Sequence, residues 1–432
     1  MHIFFSGIGG AGIGPLALIA KQAGYQVSGS DKQNSSYIEY LKKKGIKDIV
    51  IGQESGKIAA IHHHDPIDWF VYSSALTKEN PQHPELIFAR DENIYVSKRD
   101  ELINRILKDH KLKMVAIAGT HGKTTTTAMV VWLFKQLKVP ISYSVGAKMS
   151  FGDMGQYDKT SEYFVYECDE FDRNFLSFEP YISLISGVTW DHHEIYPTRE
   201  EYQAAFREFL DQSKYAVLWQ EDYDYLSLKS TKNTTILNTD HPDITKIKLA
   251  GLYNRLDARL AIEAVHELTK TPLPKLFTIM SKFPGMQRRM EEIIPNLYSD
   301  YAHTPEKIRG AVSVATEMAK ESGKKLVVVY EGLTNRRQVH MIADYQDCFN
   351  GVDELIWIPS YLAREDPDEA IIPPEKLIAQ LSNPAIAKPM LRDDQLKQTI
   401  QKHLDQGDMV VAMAGGGGDS LDEWVRKEFT SN

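Results

Sequence analysis

The sequence predicts an α/β protein of three domains: a Rossmann-like first domain, a central domain of the P-loop type with a mainly parallel sheet, and a second Rossmann-like domain at the C-terminal end. Three observations carry this. A chain of 432 residues is longer than the roughly 250–300 residues at which one hydrophobic core stops growing. An apolar strand, a glycine turn and a helix follow one another twice, near the start and from residue 114. Beyond Pro284, apolar strands again alternate with helical stretches, the pattern of a parallel sheet covered on both faces. The breaks in pattern place domains at 1–98, 99–284 and 285–432.

Composition narrows the function before any motif is read. A formal net charge of −9, with no compensating basic cluster, leaves no electrostatic footprint for nucleic acid. Cys168 and Cys348 are the two cysteines, too few for a disulfide framework and without metal-ligand spacing, so both are expected as packed thiols in a reducing compartment. The chain begins almost at once with Ile3-Phe4-Phe5 and has no apolar run of membrane-spanning length. A cytoplasmic protein is expected.

The first element is strand His2 to Ser6, followed by Gly7-Ile8-Gly9-Gly10-Ala11-Gly12, an amphipathic helix and strand Tyr25 to Asp31. Gly7, Gly9 and Gly12 satisfy G-x-G-x-x-G, and Asp31 ends the second strand about where a ribose-binding acid sits. The pattern puts a pyrophosphate on a helix N-terminus, so NAD and a UDP-sugar are both admissible, beside a purely structural glycine turn. Strand Trp69 to Tyr72 runs into Ser73-Ser74-Ala75, either a ligand-facing turn at a strand's C-terminal end or a simple polar turn. His62-His63-His64-Asp65 reads as a solvated loop rather than a metal site.

The central domain opens with the stretch around which the chain is organised. Residues 114 to 118 form a buried strand, Gly119-Thr120-His121-Gly122 a turn, and Lys123-Thr124-Thr125 the start of a helix. This is a phosphate-binding loop: glycines let the backbone curl around phosphates, Lys123 reaches the terminal ones, and the Thr124 hydroxyl is placed to hold Mg²⁺. Ile117 stands where the strict motif has its first glycine. Strand Tyr163 to Glu167 ends in Glu167, Asp169, Glu170 and Asp172, a density of like charge that needs a cation. Strand Ile182 to Val188 precedes Asp191-His192-His193, and two adjacent parallel strands would bring Glu167 and His192 to the edge that holds Lys123. Helix 199–214 buries one apolar face and needs no catalytic role. Asn254, near a helix start, is either a cap or a contact to a base.

In the last domain, strands are expected over Met290 to Leu297, Leu326 to Tyr330, Glu354 to Ile358 and Met409 to Met413. Arg288-Arg289 precede the first, Asp300-Tyr301-Ala302-His303-Thr304-Pro305 follow it, and Asn335-Arg336-Arg337 follow the second. Cations and carboxylates at strand ends suit phosphate handling, while paired arginines are also common on plain surfaces. Gly415-Gly416-Gly417-Gly418-Asp419 closes a further strand-to-helix turn.

Taken together, the Gly119–Thr125 loop, Glu167 with His192 twenty-five positions later, Asn254, the Arg288-Arg289-Met290-Glu291 box and Asp300 to Pro305 resemble the Mur ligases, the ATP-dependent amide-bond ligases of peptidoglycan synthesis. The resemblance runs through the whole chain in order. Gly7 to Gly12, Ser28 to Asp31, Ser73-Ser74-Ala75 and His121 look most like the branch that joins L-alanine to UDP-N-acetylmuramate. This implies a UDP-sugar on Gly7, Gly9, Gly10, Ala11, Gly12, Asp31, Ser73 and Ser74. It implies ATP and Mg²⁺ as cofactors, with ATP on Gly119, Thr120, His121, Gly122, Lys123, Thr124, Thr125, Asn254, Asp257, Arg288, Arg289 and His303. Metal would be held by Thr124, Glu167 and His192, and catalysis carried by Lys123, Glu167, His192, Arg289 and Asp300. Three departures stand out: Asp257 replaces that branch's second Asn, Asp300 to Pro305 looks like the later diamino-acid-adding branch, and Gly332 to Arg337 lacks the Gln-Pro-His-Arg loop. The alternatives are a muramyl-tripeptide recycling ligase, another amino-acid-adding relative and, from the first glycine motif alone, an NAD-dependent oxidoreductase.

Overall fold

Three sheets organise the computed structural model, which describes residues 1–73, 76–77, 80–192, 195–229, 233–286, 288–362, 370–415 and 420–430. The first comprises β1 (His2–Ser6), β2 (Gln26–Asp31), β3 (Ile49–Ile51), β4 (Trp69–Tyr72) and β5 (Tyr95–Lys98), in the order β3-β2-β1-β4-β5. Every pair is parallel. Helices cover both faces of such a sheet, so its inner strands read as unbroken apolar runs, and β1 is buried along its whole length. The chain leaves β1 for β2 on one side and returns to β4 on the other. Ligands bind open α/β sheets at that switch point, outside the strands' C-terminal ends. His62 to His64 end helix Ser55–His64, not a loop. The His62 ring accepts the Ile67 N–H at 3.1 Å, which ties the helix end to the next strand.

The second sheet contains β6 (Lys113–Ala118), β7 (Ser142–Ser144), β8 (Gly155–Gln156), β9 (Tyr163–Glu167), β10 (Ile182–Ile185), β11 (Ala216–Trp219) and β12 (Thr234–Leu237). Its order is β12-β11-β10-β6-β9-β7-β8, parallel except for the β7–β8 pair. The expectation that β9 and β10 lie side by side is corrected here. The loop-bearing strand β6 runs between them, so Glu167 and His192 approach the phosphate loop from opposite sides.

The third sheet is built from β13 (Glu291–Ile294), β14 (Leu297–Asp300), β15 (Leu326–Glu331), β16 (Glu354–Ile358), β17 (Ala387–Pro389) and β18 (Met409–Ala414), in the order β13-β14-β18-β15-β16-β17. The single strand expected at 290–297 is a hairpin of β13 and β14, paired antiparallel. Pro295 cannot continue a ladder, and Asn296 takes a left-handed conformation at φ 69, which turns the chain. Behind β15 and β16, Tyr330, Tyr345, Phe349 and Trp357 pack edge to face in a buried aromatic cluster. Cys168 and Cys348 are buried free thiols, as expected. Among the described residues no helix is long and apolar enough to cross a membrane.

By packing, the chain forms two compact units, one of residues Met1–Lys248 and Leu256–Phe283, the other of Leu249–Arg255 and Pro284–Asn432. The first holds the first two sheets and the second holds the third. Helix Leu252–Thr269 thus begins in one unit and continues in the other. Gly251, at φ 84, lies so close to Val314 that a Cβ would meet its Cγ2 at 2.5 Å. Arg255 donates to the Leu249 carbonyl at 3.1 Å and pairs with Glu317.

Candidate active site

The phosphate loop is shaped by two glycines that no other residue replaces easily. Gly119 sits at φ 140 and Gly122 at φ 74, conformations that cost an L side chain roughly 1 kcal/mol or more. Space forbids substitution as well: a Cβ would lie 2.6 Å from Ser186 Oγ at Gly119, and 2.5 Å from Asp257 Oδ1 at Gly122. Gly122 leads directly into helix Lys123–Gln136, so the helix's free N–H groups open onto the loop. Thr120 fixes the loop by donating its N–H to Gly187 O at 2.8 Å and its hydroxyl to Thr189 O at 2.8 Å. Ser186 Oγ donates to the carbonyl of the exposed His121.

Around this loop the acids at the end of β9 form two groups. Thr124 Oγ1 donates to Glu167 Oε1 at 2.9 Å, and Gly146 N–H donates to Glu167 Oε2 at 3.0 Å. Lys123 Nζ donates to Gly119 O at 2.6 Å and to Glu170 Oε2 at 2.7 Å. On the other oxygen of Glu170, His192 Nε2 stands 3.5 Å away. Ligand atoms of Asp169, Glu170 and His192 all lie within 4.8 Å of one another. Glu170 is 0% exposed, and such a carboxylate persists inside a protein only when paired.

Electrostatics follow from this packing. Burial pushes Glu167 above the usual carboxylate range, opposed by the Thr124 hydrogen bond and the Lys123 charge. Burial would do the same to Glu170, but the His192 ring and the Lys123 ammonium together draw it below its ordinary value. Burial disfavours the Lys123 charge, and Glu170 more than offsets this, so the ammonium titrates above its usual range. His192 is raised, chiefly by Glu170. The shifts of Lys123, Glu170 and His192 all favour their charged forms, whereas burial works against charge on Glu167. Carboxylates, a hydroxyl and an imidazole make a donor set that suits a hard divalent cation such as Mg²⁺, with the Oε1 atom of Glu170 lacking a close hydrogen bond. Asp172, Arg173 and His192 all hold left-handed backbone, at φ 59, 56 and 53, conformations that cluster at functional sites.

In the first domain, Gly9 N–H donates to Asp31 Oδ2 at 2.8 Å, so the glycine turn and the acid at the end of β2 meet. Beside them opens a cavity of about 490 Å³ lined by Lys32, Gln53, Glu54, Ser55, Asn80, His83 and Pro84. Gln53 donates to Ser6 Oγ at 3.0 Å, and Ser6 donates to the buried Glu85 at 2.6 Å. Burial lifts Glu85 to about 7. Ser73, the residue after β4, is half-buried, while Ser74, like His193 and Gly416 to Asp419, lies outside the described residues.

In the second unit, Asp300 accepts the N–H groups of Met290 at 2.9 Å and Ala302 at 2.8 Å. Burial raises it, and Arg289 is the strongest opposing charge. His303 is buried, its Nδ1 2.6 Å from Tyr301 O, and burial with Lys307 nearby lowers it to about 4. Arg288 lies over the Tyr301 ring at 4.5 Å and donates to Ala414 O at 2.6 Å. Asn254 lies inside helix Leu252–Thr269 rather than at its cap, and its amide donates back to Ala250 O at 2.8 Å.

Three successive stretches match domain profiles of one family: residues 2–111 "Mur ligase family, catalytic domain", 117–253 "Mur ligase middle domain" and 288–416 "Mur ligase, glutamate ligase domain". A UDP-N-acetylmuramate–L-alanine ligase of Campylobacter jejuni subsp. doylei is 30% identical over 397 residues, 85% of this chain and 87% of that one. The chain belongs to the Mur ligase family. A namesake from Clostridium acetobutylicum is 28% identical, covering 96% of this Mur ligase and 95% of its own length. Among solved structures, the UDP-N-acetylmuramate-alanine ligase of Thermotoga maritima shares the fold at TM-score 0.77 and 24% identity, over 100% of this chain and 98% of that one. A murein peptide ligase of Psychrobacter arcticus shares it at TM-score 0.62 and 19% identity, over 100% and 98%.

In this Mur ligase, Thr124 pairs with Glu167 while Lys123 and His192 meet on Glu170, so the expected set of Thr124, Glu167 and His192 is divided between two groups. Glu170 is the member that sequence reasoning passed over. It was visible only as one acid among four, and its partners Lys123 and His192 come from other strands. Gln53 and Glu85 escaped for the same reason, since neither belongs to a contiguous motif.

Proposed function

We propose that this Mur ligase joins L-alanine to the lactyl carboxylate of UDP-N-acetylmuramate, with ATP converted to ADP and phosphate. The observation that carries the reading is the convergence of Lys123, Thr124, Glu167, Glu170 and His192 on one sheet edge. The kinship with L-alanine ligases along nearly the whole chain supports it. ATP would lie on the Gly119–Thr125 loop, its phosphates meeting the N–H groups of the helix start. Phosphoryl transfer between two anions is a problem of charge and alignment, so fixed cations do most of the work. Glu170 keeps Lys123 protonated and oriented beside the loop. The carboxylate of the sugar takes the γ-phosphoryl, and the amine of L-alanine then displaces phosphate from the acyl phosphate to form the amide.

Mg²⁺, when bound, would neutralise the phosphate oxygens, held by Thr124 and Glu167 and by Asp169, Glu170 and His192. Asn254, Asp257, Arg288, Arg289, Asp300 and His303 are the residues proposed to serve the nucleotide and phosphate beyond the loop. The nucleotide sugar would sit on Gly7 to Gly12 with Asp31, Ser73 and Ser74, and its base would fit the cavity beside Gln53. Domains at 1–98, 99–284 and 285–432 would divide the labour. A cytoplasmic location follows from the use of ATP.

The test is phosphate release with UDP-N-acetylmuramate and L-alanine, then L-serine or glycine, then a preformed muramyl tripeptide, and finally UDP-muramyl-dipeptide with a diamino acid. Release only with the first sugar and a small neutral amino acid is expected. Selective use of the tripeptide makes the protein a recycling ligase instead, and use of the dipeptide alone assigns a later step.

A further inference from the structure

The junction between the first two sheets carries two cations that no motif accounts for. β5 ends at Lys98, and helix Arg99–His110 begins with the next residue. Lys98 Nζ pairs with Asp172 Oδ2 at 2.9 Å. Arg99 is different. Its guanidinium lies so close to the glycine turn that a Cβ on Gly12 would meet Nη1 at 2.6 Å. Its nearest carboxylate among the described residues, Asp169 Oδ2, is 3.8 Å from Nη2, well beyond the roughly 2.7–2.9 Å of a charge-assisted hydrogen bond. The side chain is 21% exposed, yet it makes no hydrogen bond to a described residue. Five N–H donors in a planar fork are thus held largely out of water, above a turn whose glycine leaves room for them.

A guanidinium in that state suits a doubly charged, multi-oxygen anion, because the fork matches phosphate geometry and phosphate supplies the acceptors it lacks. We propose that Arg99 is a substrate-binding residue that grips the diphosphate of the nucleotide sugar on the Gly7–Gly12 turn, with Asp169 as its partner when the turn is empty. This rests on the nucleotide-sugar reading of the first domain. It adds a link between sites, since Asp169 belongs both to the pair with Arg99 and to the cluster with Glu170 and His192. A diphosphate that draws the guanidinium toward the turn leaves Asp169 to that cluster.

The experiment is calorimetry on the full chain with UDP, uridine and ATP as separate probes, comparing the unsubstituted protein with Arg99→Gln and Arg99→Lys. Loss of charge-assisted hydrogen bonds predicts about 10- to 100-fold weaker UDP binding by Arg99→Gln. Arg99→Lys should fall between, because it keeps the charge and loses the fork. Uridine affinity should not move, and ATP affinity should change far less than UDP affinity, only through the release of Asp169. Equal UDP affinity in all three proteins overturns the assignment, as does a parallel loss of uridine and UDP in both variants, which marks a structural role. Weakened ATP binding with UDP unchanged places the residue on the wrong nucleotide. If the unsubstituted protein binds NAD and no UDP, the underlying reading of the first domain fails, a result distinct from the others.

Discussion

Replacing Glu170 by Gln tests the central pairing while preserving shape. The carboxylate is fully buried, with Lys123 at 2.7 Å on one oxygen and His192 at 3.5 Å from the other. Removing one charge of a buried pair costs about 3–5 kcal/mol. The amide oxygen still accepts from Lys123, so the low end is expected. Turnover should fall further, by about 100- to 1,000-fold, because the fixed cation nearest the transferring phosphoryl loses its orientation.

The signs of the titrations make the test specific. His192 is raised above 6.5, so its share of stability is complete below pH 6.5 and fades as pH rises through the folded value. Glu170 is lowered below 4.5, so its share is present above pH 4.5 and fades as pH falls through the folded value. In metal-free Glu170→Gln, proton NMR should find His192 titrating lower than in the unsubstituted protein, and the pH dependence of thermal melting should lose the contributions of this pair. An unchanged His192 titration together with normal turnover would refute the pairing and remove Glu170 from the site.

Lys123→Ala should lower phosphate release by about 10³-fold or more and strand the Glu170 charge, so melting should also fall; normal turnover excludes the loop from the reaction. Gly122→Ala places a methyl against Asp257 in a left-handed position, and ATP affinity measured by calorimetry should drop at least tenfold. His303, lowered to about 4, binds fewer protons folded than unfolded between pH 6.5 and 4. Stability of its unit should therefore decline by up to ~3 kcal/mol as pH falls through that window, and His303→Gln should flatten the decline in a pH series of melts. Glu167→Ala should raise the Mg²⁺ concentration for half-maximal activity, whereas an unchanged titration would argue against its place as a ligand.

Much of this was legible in the sequence, and the reason is locality. The Gly119–Thr125 loop, the Gly7–Gly12 turn and the acids after β9 are each contiguous, and strand-to-helix patterning located their edges. What sequence missed depends on pairing between distant segments. The order that puts β6 between β9 and β10 cannot be read from periodicity, and so the link from Lys123 through Glu170 to His192 stayed hidden. The β13–β14 hairpin was misread because Pro295-Asn296 sits between Ile293-Ile294 and Leu297, close enough for the three to read as one strand. Arg99 belongs to no motif, and only the fold sets the glycine turn beside it.

Helix Leu252–Thr269 bears on how the protein can be taken apart. Because Leu249–Arg255 packs with the residues after Pro284, the second unit is not a simple C-terminal piece. A fragment starting at Pro284 would lack the Arg255 partner of Glu317 and the Gly251 contact with Val314. Inheritance as separable modules, or exchange of C-terminal parts between relatives, would therefore demand a join upstream of Leu249. Such a join must bring along helix Leu252–Thr269, most of which serves the other unit. Swaps cut at Pro284 should express poorly, and the segment that makes them fail is only seven residues long.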